Sequence, residues 1–381
     1  MTLETLQIGM EWFEENPGGL SRVYGRLLSE LALQGVRSFG LVAGSGDVTR
    51  MSSGLAHSFA PADSPLLTRL RAVRSAAAPW LDRHGSESVV VAHFALYALP
   101  LLDRVRSRPF VVHFQGPWGA ESRAEGASAI SAMARTMSER LVYRRADAAI
   151  VLSTAFRDIL TSRFGVAGDR IHVIPGGVEA NRFAHHTPRF ECRERLGWPL
   201  DRPIVLCVRR LVRRVGIDTL VEAALDVKRR VPTALILIAG TGPLREELEA
   251  RIKTLSLGDT VRLLGFVRDE DLPIAYRAAD LTVVPTASLE GFGLVTVESL
   301  ASGTPCLVTP VGGLSEVVMP LAPQLVIRST AAPDIADAIS SALLGALPLP
   351  SSEACAAYAR TNFDWPVIAR RVRDVYAGST R

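Results

Sequence analysis

Short apolar runs rich in β-branched residues recur along the chain and alternate with segments of helical periodicity. This alternation is typical of parallel sheets with crossover helices. In the first half it predicts strands at Leu6–Met10, Ser38–Val42, Ser88–His93, Pro109–Phe114, Ala148–Leu152 and Ile171–Ile174. In the second half it predicts strands at Ile204–Val208, Ala234–Ala239, Val261–Leu264, Leu281–Pro285, Pro305–Val308 and Gln324–Ile327. The expected fold class is α/β, with two doubly wound, Rossmann-like domains.

The chain length of 381 residues exceeds what one hydrophobic core usually organises, so two domains of roughly 150 to 200 residues are expected. The polar stretch from His185 to Pro188 is interpreted as a linker. The predicted domains cover residues 1–184 and 185–363, and a cleft between them is a natural ligand site. In such sheets ligands bind beyond the carboxyl ends of the strands, so chemistry is expected in the loops that follow them.

The composition, 48% hydrophobic and 22% charged residues, is that of a globular protein. The longest apolar runs, such as residues 234–239, fall far short of the roughly 20 residues that a membrane-spanning helix needs. The N-terminus lacks the order of a secretory signal, which predicts a cytoplasmic enzyme. The net charge of +4 without a dense basic tract gives no reason to expect a nucleic-acid partner. Scattered cysteines suit a reducing compartment, and no chemistry is assigned to Cys192, Cys207, Cys306 and Cys355.

The most informative segment runs from Pro285 to Glu298, between a predicted strand and a predicted helix. Gly291 and Gly293 allow the backbone to approach a ligand, and the free amides of the helix start favour a phosphate or a sugar hydroxyl. The alternative is an ordinary tight turn followed by an exposed glutamate. That alternative is disfavoured because an unpartnered Glu298 would be costly among its apolar neighbours, Val295, Val297, Leu300 and Ala301.

The stretch E-G-F-G-L-V-T-V-E-S-L-A-S-G-T-P, with two acids separated by seven residues, resembles the family-4 retaining glycosyltransferases of GT-B fold. The likeness covers nearly the whole chain. Further matching segments are Gly18-Gly19-Leu20, His113, Pro175–Glu179 with Phe183, Arg210-Leu211, Gly240–Pro243, Gly265–Val267 and Phe363–Trp365. The resemblance implies two domains facing across a cleft and a C-terminal helix, residues 364–381, that crosses back to the N-terminal domain.

The resemblance also implies roles for single residues. Arg210 would neutralise the leaving diphosphate, Glu290 would hold a hydroxyl of the donor sugar, and His113 would lie near the transferred sugar. Glu298 would hold the ribose hydroxyls. The remaining donor-binding residues would be Gly18, Gly19, Arg214, Gly265, Phe266, Val267, Phe292, Gly293 and Leu294. No metal ligand is expected.

One departure from the family pattern is Val215, which stands where a lysine usually precedes Gly216. Arg214, or less favourably Arg213, would substitute, with a planar fork in place of a point charge. Trp118 either stacks on a sugar or packs its loop. Asp269-Glu-Asp271 matches a metal-binding D-x-D pattern, but acids at a helix start are the favoured interpretation.

A basic amphipathic helix is predicted around Leu66–Arg83, with arginines at 69, 71, 74 and 83. It is either a solvated face, the favoured interpretation, or a peripheral contact with an anionic membrane.

The resemblance predicts retaining transfer of a hexose-type sugar from a nucleotide-diphosphate sugar, in carbohydrate biosynthesis. The donor is a co-substrate, and no cofactor is expected. The acceptor would be a small molecule, a glycan or a lipid-linked hydroxyl, and no oligomeric state is predicted. Two alternatives stay open, because fold alone does not fix a reaction. One is an epimerase or non-glycosidic coupling enzyme on the same fold, and the other is a non-catalytic nucleotide-sugar-binding protein.

Overall fold

The computed structural model describes residues 3–16, 18–124, 126–184 and 187–380. It divides into two compact units, Met1–Gly177 with Trp365–Arg381, and Val178–Asp364. The first unit ends before the predicted boundary at residue 184, because the segment after Gly177 bonds to the second unit. The Val178 amide donates to the Phe363 carbonyl over 2.8 Å, and the Ala180 amide donates to the Asp364 carboxylate over 3.1 Å. Residues 185 and 186 of the predicted linker lie outside the described residues.

The first unit is built on a parallel seven-stranded sheet in the order β3-β2-β1-β4-β5-β6-β7. Its strands are β1 (Glu4–Glu11), β2 (Arg37–Ala43), β3 (Ala56–Ala60), β4 (Val89–Ala92), β5 (Phe110–Phe114), β6 (Ala148–Val151) and β7 (Ile171–Val173). The order changes direction between β1 and β4, which makes the sheet doubly wound. Strand β3 was not predicted, because the sequence Ala-His-Ser-Phe-Ala lacks β-branched residues and the strand lies at the sheet edge.

Helices and turns connect these strands. The helices are α1 (Gly19–Leu33), α2 (Val48–Met51), α3 (Leu66–Arg83), α4 (Ala95–Ala98), α5 (Trp118–Ala124), α6 (Ala129–Arg145) and α7 (Thr154–Ile159). The core of this unit contains fully buried residues of the central strands, such as Leu6, Val90 and Val112. Leu6 and Val90 are paired across β1 and β4. Parallel strands covered on both faces read as continuous apolar runs, which is why they are visible in the sequence.

The second unit is built on a parallel five-stranded sheet in the order β10-β9-β8-β11-β12. Its strands are β8 (Ile204–Val208), β9 (Leu235–Ala239), β10 (Val261–Gly265), β11 (Leu281–Val284) and β12 (Cys306–Val308). The predicted strand at Gln324–Ile327 is wrong. Pro323–Leu325 forms a 3₁₀ turn, and Val326 makes only an isolated bridge with Val308. Pro323 is instead the first residue of the turn, a position that suits its fixed φ. The predicted α/β class with two doubly wound sheets is confirmed.

The helices of the second unit are α8 (Ala180–Phe183), α9 (Arg189–Leu196), α10 (Ile217–Arg230), α11 (Arg245–Thr254), α12 (Leu272–Ala278), α13 (Leu294–Ala301), α14 (Leu314–Val318), α15 (Ala332–Leu343) and α16 (Ser352–Phe363). Helix α10 buries one apolar face at helical spacing, with Leu220, Ala224 and Val227 fully covered. Helix α13 differs, because six of its eight residues are buried. A polar side chain on α13 therefore needs a specific partner.

The last helix, α17 (Trp365–Gly378), belongs to the first unit and packs on α1. It buries Ile368, Val372 and Tyr376, which are spaced four residues apart and share one face. Trp365 lies against Gly177, where an added Cβ would come within 2.4 Å of the indole. The C-terminal helix thus returns to the first unit, as predicted. Among the described helices, none has the length and apolar character needed to cross a bilayer.

Candidate active site

Two neighbouring loops at the carboxyl edge of the second sheet carry five of the predicted site residues: Arg210, Arg214, Glu290, Phe292 and Gly293. Strands β8 and β11 are adjacent, and the strand order changes direction between them, which is where doubly wound sheets bind ligands. Arg209 and Arg210 follow β8, and the segment 285–293 follows β11. The amides of Ala287 and Ser288 donate to the Arg214 carbonyl over 3.0 and 3.1 Å. The two loops are therefore joined through their backbones.

Glu290 forms a nearly buried ion pair with Arg209. The Arg209 Nη2 donates to Glu290 Oε2, and the two side chains are 12% and 13% exposed. The Arg209 Nη2 also lies 3.1 Å from the hydroxyl of Thr286, a fully buried residue. The Arg209 Nε is buried and has no hydrogen-bond partner among the described residues.

Close glycine contacts fix the backbone on both sides of this ion pair. At Gly312 φ is +57°, and an added Cβ would lie 1.8 Å from the carbonyl oxygen of Glu290. At Gly240 φ is +141°, and an added Cβ would lie 1.9 Å from the carbonyl oxygen of Arg209. Both positions therefore require glycine for conformation as well as for space.

The loop after β8, residues 209–216, is called the β8 loop. Its other three arginines lie in different surroundings. The side chain of Arg210 is exposed. Arg213 is also exposed and pairs with Glu247 over 2.8 Å. Arg214 is half-buried, and its Nη1 donates to the carbonyl of Leu289 over 3.2 Å. Arg214 thus contacts the loop that carries Glu290, whereas Arg213 is tied to α11, and this difference favours Arg214 as the substitute for the lysine.

Glu298 lies in α13 and is 8% exposed. The buried hydroxyl of Tyr276 donates to its Oε2 over 3.0 Å. Burial, followed by the negative charge of Glu298, raises the pKa of Tyr276, so the phenol keeps its proton. Glu298 has apolar neighbours and therefore needs a polar partner. Tyr276 of α12 is such a partner.

The predicted donor-binding residues that remain in the second unit lie at or after the carboxyl ends of its strands. Gly265 ends β10 and its carbonyl accepts from the Gly240 amide over 2.7 Å. Phe266, which follows it, is 72% exposed, while Val267 is half-buried. Phe292 is buried against Phe363, with ring centroids 5.6 Å apart. The side chain of Phe292 is thus part of the core, and only its backbone is suited to a ligand. Gly293 and Leu294 form the start of α13.

The other predicted residues lie in the first unit. His113 is the next-to-last residue of β5 and is 5% exposed. Its Nε2 shares a 2.7 Å hydrogen bond with the Tyr376 hydroxyl. Burial lowers the pKa of His113 to about 3, so the ring is neutral at pH 7. Gly18 directly precedes α1 and Gly19 is its first residue, and an added Cβ at either position meets nothing within 4 Å. The surroundings therefore do not require glycine at these two positions.

Trp118 packs its loop. Its ring centroid lies 5.1 Å from that of Phe94, and the Arg135 guanidinium carbon lies 4.7 Å from the ring. The amides of Trp118 and Gly119 donate to the buried carboxylate of Glu139 over 2.9 and 3.1 Å. The favoured interpretation of Trp118 is accordingly a structural contact.

The acids of the D-x-D segment, residues 269–271, form ion pairs with arginines. Arg268 pairs with Glu270 and Asp271 over 2.6 and 2.8 Å, and Asp271 directly precedes α12. Within the described ranges, no group of three His, Cys, Asp or Glu side chains is arranged to hold a metal ion. The helix-start interpretation of Asp271 therefore agrees with its position.

Sequence reasoning missed four residues of this site: Arg209, Thr286, Tyr276 and Gly312. Arg209 directly follows β8, so the strand-end rule that selected Arg210 applies to it equally. Thr286 lies in the segment already singled out. Tyr276 and Gly312 reach the site through tertiary packing, and no local pattern marks them.

Comparison with known proteins shows the family of this chain. The model of "Glycosyltransferase Family 4" matches residues 17–182, and that of "Glycosyl transferases group 1" matches residues 188–362. The GDP-mannose-dependent alpha-(1-6)-phosphatidylinositol monomannoside mannosyltransferase of Mycolicibacterium smegmatis is 30% identical over 312 residues, 78% of each chain. The chain belongs to the family-4, group 1 glycosyltransferases.

Other relatives of this group 1 glycosyltransferase show how far the likeness extends. Mannosylfructose-phosphate synthase of Agrobacterium fabrum is 36% identical over 194 residues, and the match spans 48% of this chain but only 42% of that protein. Sucrose-phosphate synthase from Thermosynechococcus elongatus superimposes with a TM-score of 0.79 and 25% identity over 98% of both chains. Anabaena HepE in complex with UDP-glucose gives a TM-score of 0.78 at 19% identity over 98% of both chains, a likeness of fold alone. The predicted GT-B fold is confirmed.

Proposed function

We propose that this glycosyltransferase moves a hexose-type sugar from a nucleotide-diphosphate sugar to an acceptor hydroxyl, with retention of configuration and without a metal cofactor. The observation that carries the proposal is the pair of shielded carboxylates on one strand-loop-helix segment. Glu290 is held by Arg209, and Glu298 is held by Tyr276. UDP-glucose in the HepE structure and GDP-mannose in the name of the mannosyltransferase support a nucleotide-sugar donor.

Positive groups at the edge where β8 and β11 meet support the departure of a diphosphate. Arg210 and Arg214 bring two cationic side chains to the β8 loop, and α13 begins with free amides after Gly293. Charge-assisted bonds to phosphate oxygens are strongest where water is excluded. As negative charge builds up on the departing oxygen, these groups stabilise it more than they stabilise the intact donor, which is the condition for catalysis.

The carboxylates are positioning groups in this proposal. Ionised Glu290 accepts from a sugar hydroxyl, and Arg209 stabilises its charge. Glu298 accepts from ribose hydroxyls, while Tyr276 fixes its orientation. The departing phosphate takes the acceptor proton, so that no enzyme carboxylate is required as a nucleophile. His113, Gly18 and Gly19 contribute from the first unit, as the resemblance implies.

Peripheral membrane contact is part of the proposal, with α6 as the contact surface in place of α3. Two arginines of α3 are engaged within the protein, Arg69 with Tyr97 and Arg74 with Asp103. Helix α6 exposes an apolar stripe at helical spacing, with exposed fractions of 54% to 78%, formed by Ile130, Met133, Met137 and Leu141. Exposed Arg140 and Arg144 adjoin it, which suits an anionic bilayer and a lipid-linked acceptor.

Turnover distinguishes this proposal from its alternatives. Purified protein is incubated with UDP- and GDP-sugars, with and without an acceptor panel and with a metal chelator. Release of free nucleotide that depends on acceptor and persists with chelator supports the proposal and excludes an epimerase. The anomeric coupling constant of the product reports retention or inversion. Binding of donor without any turnover would instead favour the non-catalytic protein.

Vesicle co-sedimentation tests the membrane contact. Wild type is expected to bind vesicles that contain anionic lipid and not vesicles of neutral lipid alone. The variant Met133→Glu with Met137→Glu is expected to lose that binding. Equal sedimentation of wild type and variant would refute the role of α6.

A further inference from the structure

Four buried polar side chains form a chain of contacts in the first unit. Gln7, His93, His113 and Tyr376 are between 0% and 5% exposed. The His93 Nε2 lies 2.8 Å from the Gln7 Oε1, and the His113 Nε2 lies 2.7 Å from the Tyr376 hydroxyl. The rings of His93 and His113 stack with centroids 4.2 Å apart and planes 22° apart. Side chains from β1, the β4 end, β5 and α17 thus meet at one buried point.

The tautomer of His93 follows from its partner. The Gln7 amide nitrogen donates to the Thr5 hydroxyl over 3.0 Å, so its oxygen faces His93. An amide oxygen can only accept, and His93 must therefore carry its proton on Nε2. The His93 Nδ1 has no partner among the described residues. As an unprotonated nitrogen it leaves no buried N–H donor unsatisfied.

The tautomer of His113 follows from the single proton of Tyr376. The Tyr376 hydroxyl lies 2.7 Å from the His113 Nε2 but 3.5 Å from the Gln7 Oε1, which is beyond the usual O–H···O distance. If the His113 Nε2 carried the proton, the hydroxyl would have to donate over the long contact and would be poorly satisfied. Burial raises the pKa of Tyr376, so the phenol keeps its proton. A hydroxyl that donates to Nε2 satisfies both groups, and it leaves the His113 proton on Nδ1.

We propose that Tyr376 is a positioning residue that holds neutral His113 in the Nδ1–H tautomer, so that Nδ1 donates a hydrogen bond to an oxygen of the transferred sugar. This inference rests on the proposed function of His113 beside that sugar. The stacked ring of His93 fixes the plane of the His113 ring. The C-terminal helix α17 thereby takes part in substrate recognition through one hydroxyl group.

The first test is spectroscopic and needs no substrate. The full-length protein is labelled with ¹⁵N-histidine, and two-bond ¹H–¹⁵N correlation spectra separate the two tautomers of neutral imidazole. The chain has seven histidines, and the signals of His113 are identified by their loss in His113→Gln. Wild type is expected to show the Nδ1–H pattern at His113. Tyr376→Phe is expected to shift this pattern toward the other tautomer, because the hydroxyl that occupies Nε2 is gone.

Tyr24→Phe is the matched control. The Tyr24 hydroxyl is equally buried in the first unit and donates to the Gln7 carbonyl over 2.9 Å. Its loss is expected to cost similar stability and to leave the His113 tautomer unchanged. A wild-type His113 in the Nε2–H form, or an unchanged spectrum in Tyr376→Phe, would overturn the proposal.

The second test is kinetic. Loss of one hydrogen bond of this kind predicts about a tenfold decrease in kcat/KM for Tyr376→Phe relative to Tyr24→Phe. Equal kcat/KM in the two variants would overturn the role in substrate recognition. If the tautomer shifts as expected but no nucleotide sugar is turned over by wild type, the proposed function fails while the positioning of His113 stands.

Discussion

Replacing Glu290 with glutamine removes the charged partner of Arg209, a side chain that is only 12% exposed. Breaking a buried pair by removing one partner costs about 3–5 kcal/mol. Because the glutamine side chain keeps an acceptor oxygen and Thr286 stays in place, we expect a smaller cost of about 2–3 kcal/mol for Glu290→Gln. Arg209→Met leaves the carboxylate uncompensated and is expected to cost a similar amount. The double variant should be more stable than the sum of the two losses predicts, by at least about 1.5 kcal/mol.

Thermal unfolding measures these losses, since each kcal/mol corresponds to roughly 2–4 °C for a domain of this size. The exposed pair of Arg213 and Glu247 is the matched control, because it joins the same β8 loop to α11 with side chains that are 66% and 54% exposed. Its double-variant cycle is expected to show coupling close to zero. Additive effects of Arg209→Met and Glu290→Gln, within about 0.5 kcal/mol, would show that the two residues do not act together and would refute the site geometry.

Three further predictions follow from single residues. Arg210→Ala is expected to lower kcat/KM about 10²- to 10³-fold while Arg213→Ala stays near wild type, and equal losses in the two would contradict the role of Arg210. Gly312→Ala is expected to destabilise the protein more than Gly345→Ala, because both have positive φ but only Gly312 faces a carbonyl at 1.8 Å; similar melting temperatures would contradict this. Burial raises the pKa of Glu139 to about 7 from 4.5. The stabilisation that Glu139 contributes is therefore greatest below pH 4.5, and it falls by an amount of order 3 kcal/mol as the pH rises to about 7. Glu139→Gln is expected to flatten that decrease in urea unfolding, and an unchanged pH profile would contradict it.

Most of the fold was predictable because parallel strands covered on both faces are aliphatic throughout. The strand Ile204–Val208 has the bounds that were predicted for it. Strand prediction failed where the aliphatic pattern is weak or misleading. Strand β3 is an edge strand with a histidine and a serine. Val326 and Ile327 are apolar, but the segment before them forms a 3₁₀ turn and Val326 makes only an isolated bridge.

The site was predictable where its residues share one local segment, and less so elsewhere. Glu290 and Glu298 belong to one strand-loop-helix junction, so the local sequence together with the family resemblance indicates them. Arg209 and Arg210 are adjacent residues whose side chains have different surroundings, and sequence does not say which one contacts Glu290. Tyr376 lies 263 residues from His113, and only tertiary packing brings the two together.

Donor binding by the second unit is the central claim, and thermal shift with a panel of nucleotide-diphosphate sugars tests it most directly. At about 100 times its dissociation constant, a ligand stabilises by roughly 2.7 kcal/mol, which corresponds to about 5–10 °C for a unit of this size. We predict that at least one UDP- or GDP-sugar raises the melting temperature of wild type by this amount. Glu298→Gln should lose the shift, and Glu247→Gln should keep it. A panel without any shift, or a shift that persists in Glu298→Gln, would contradict the account.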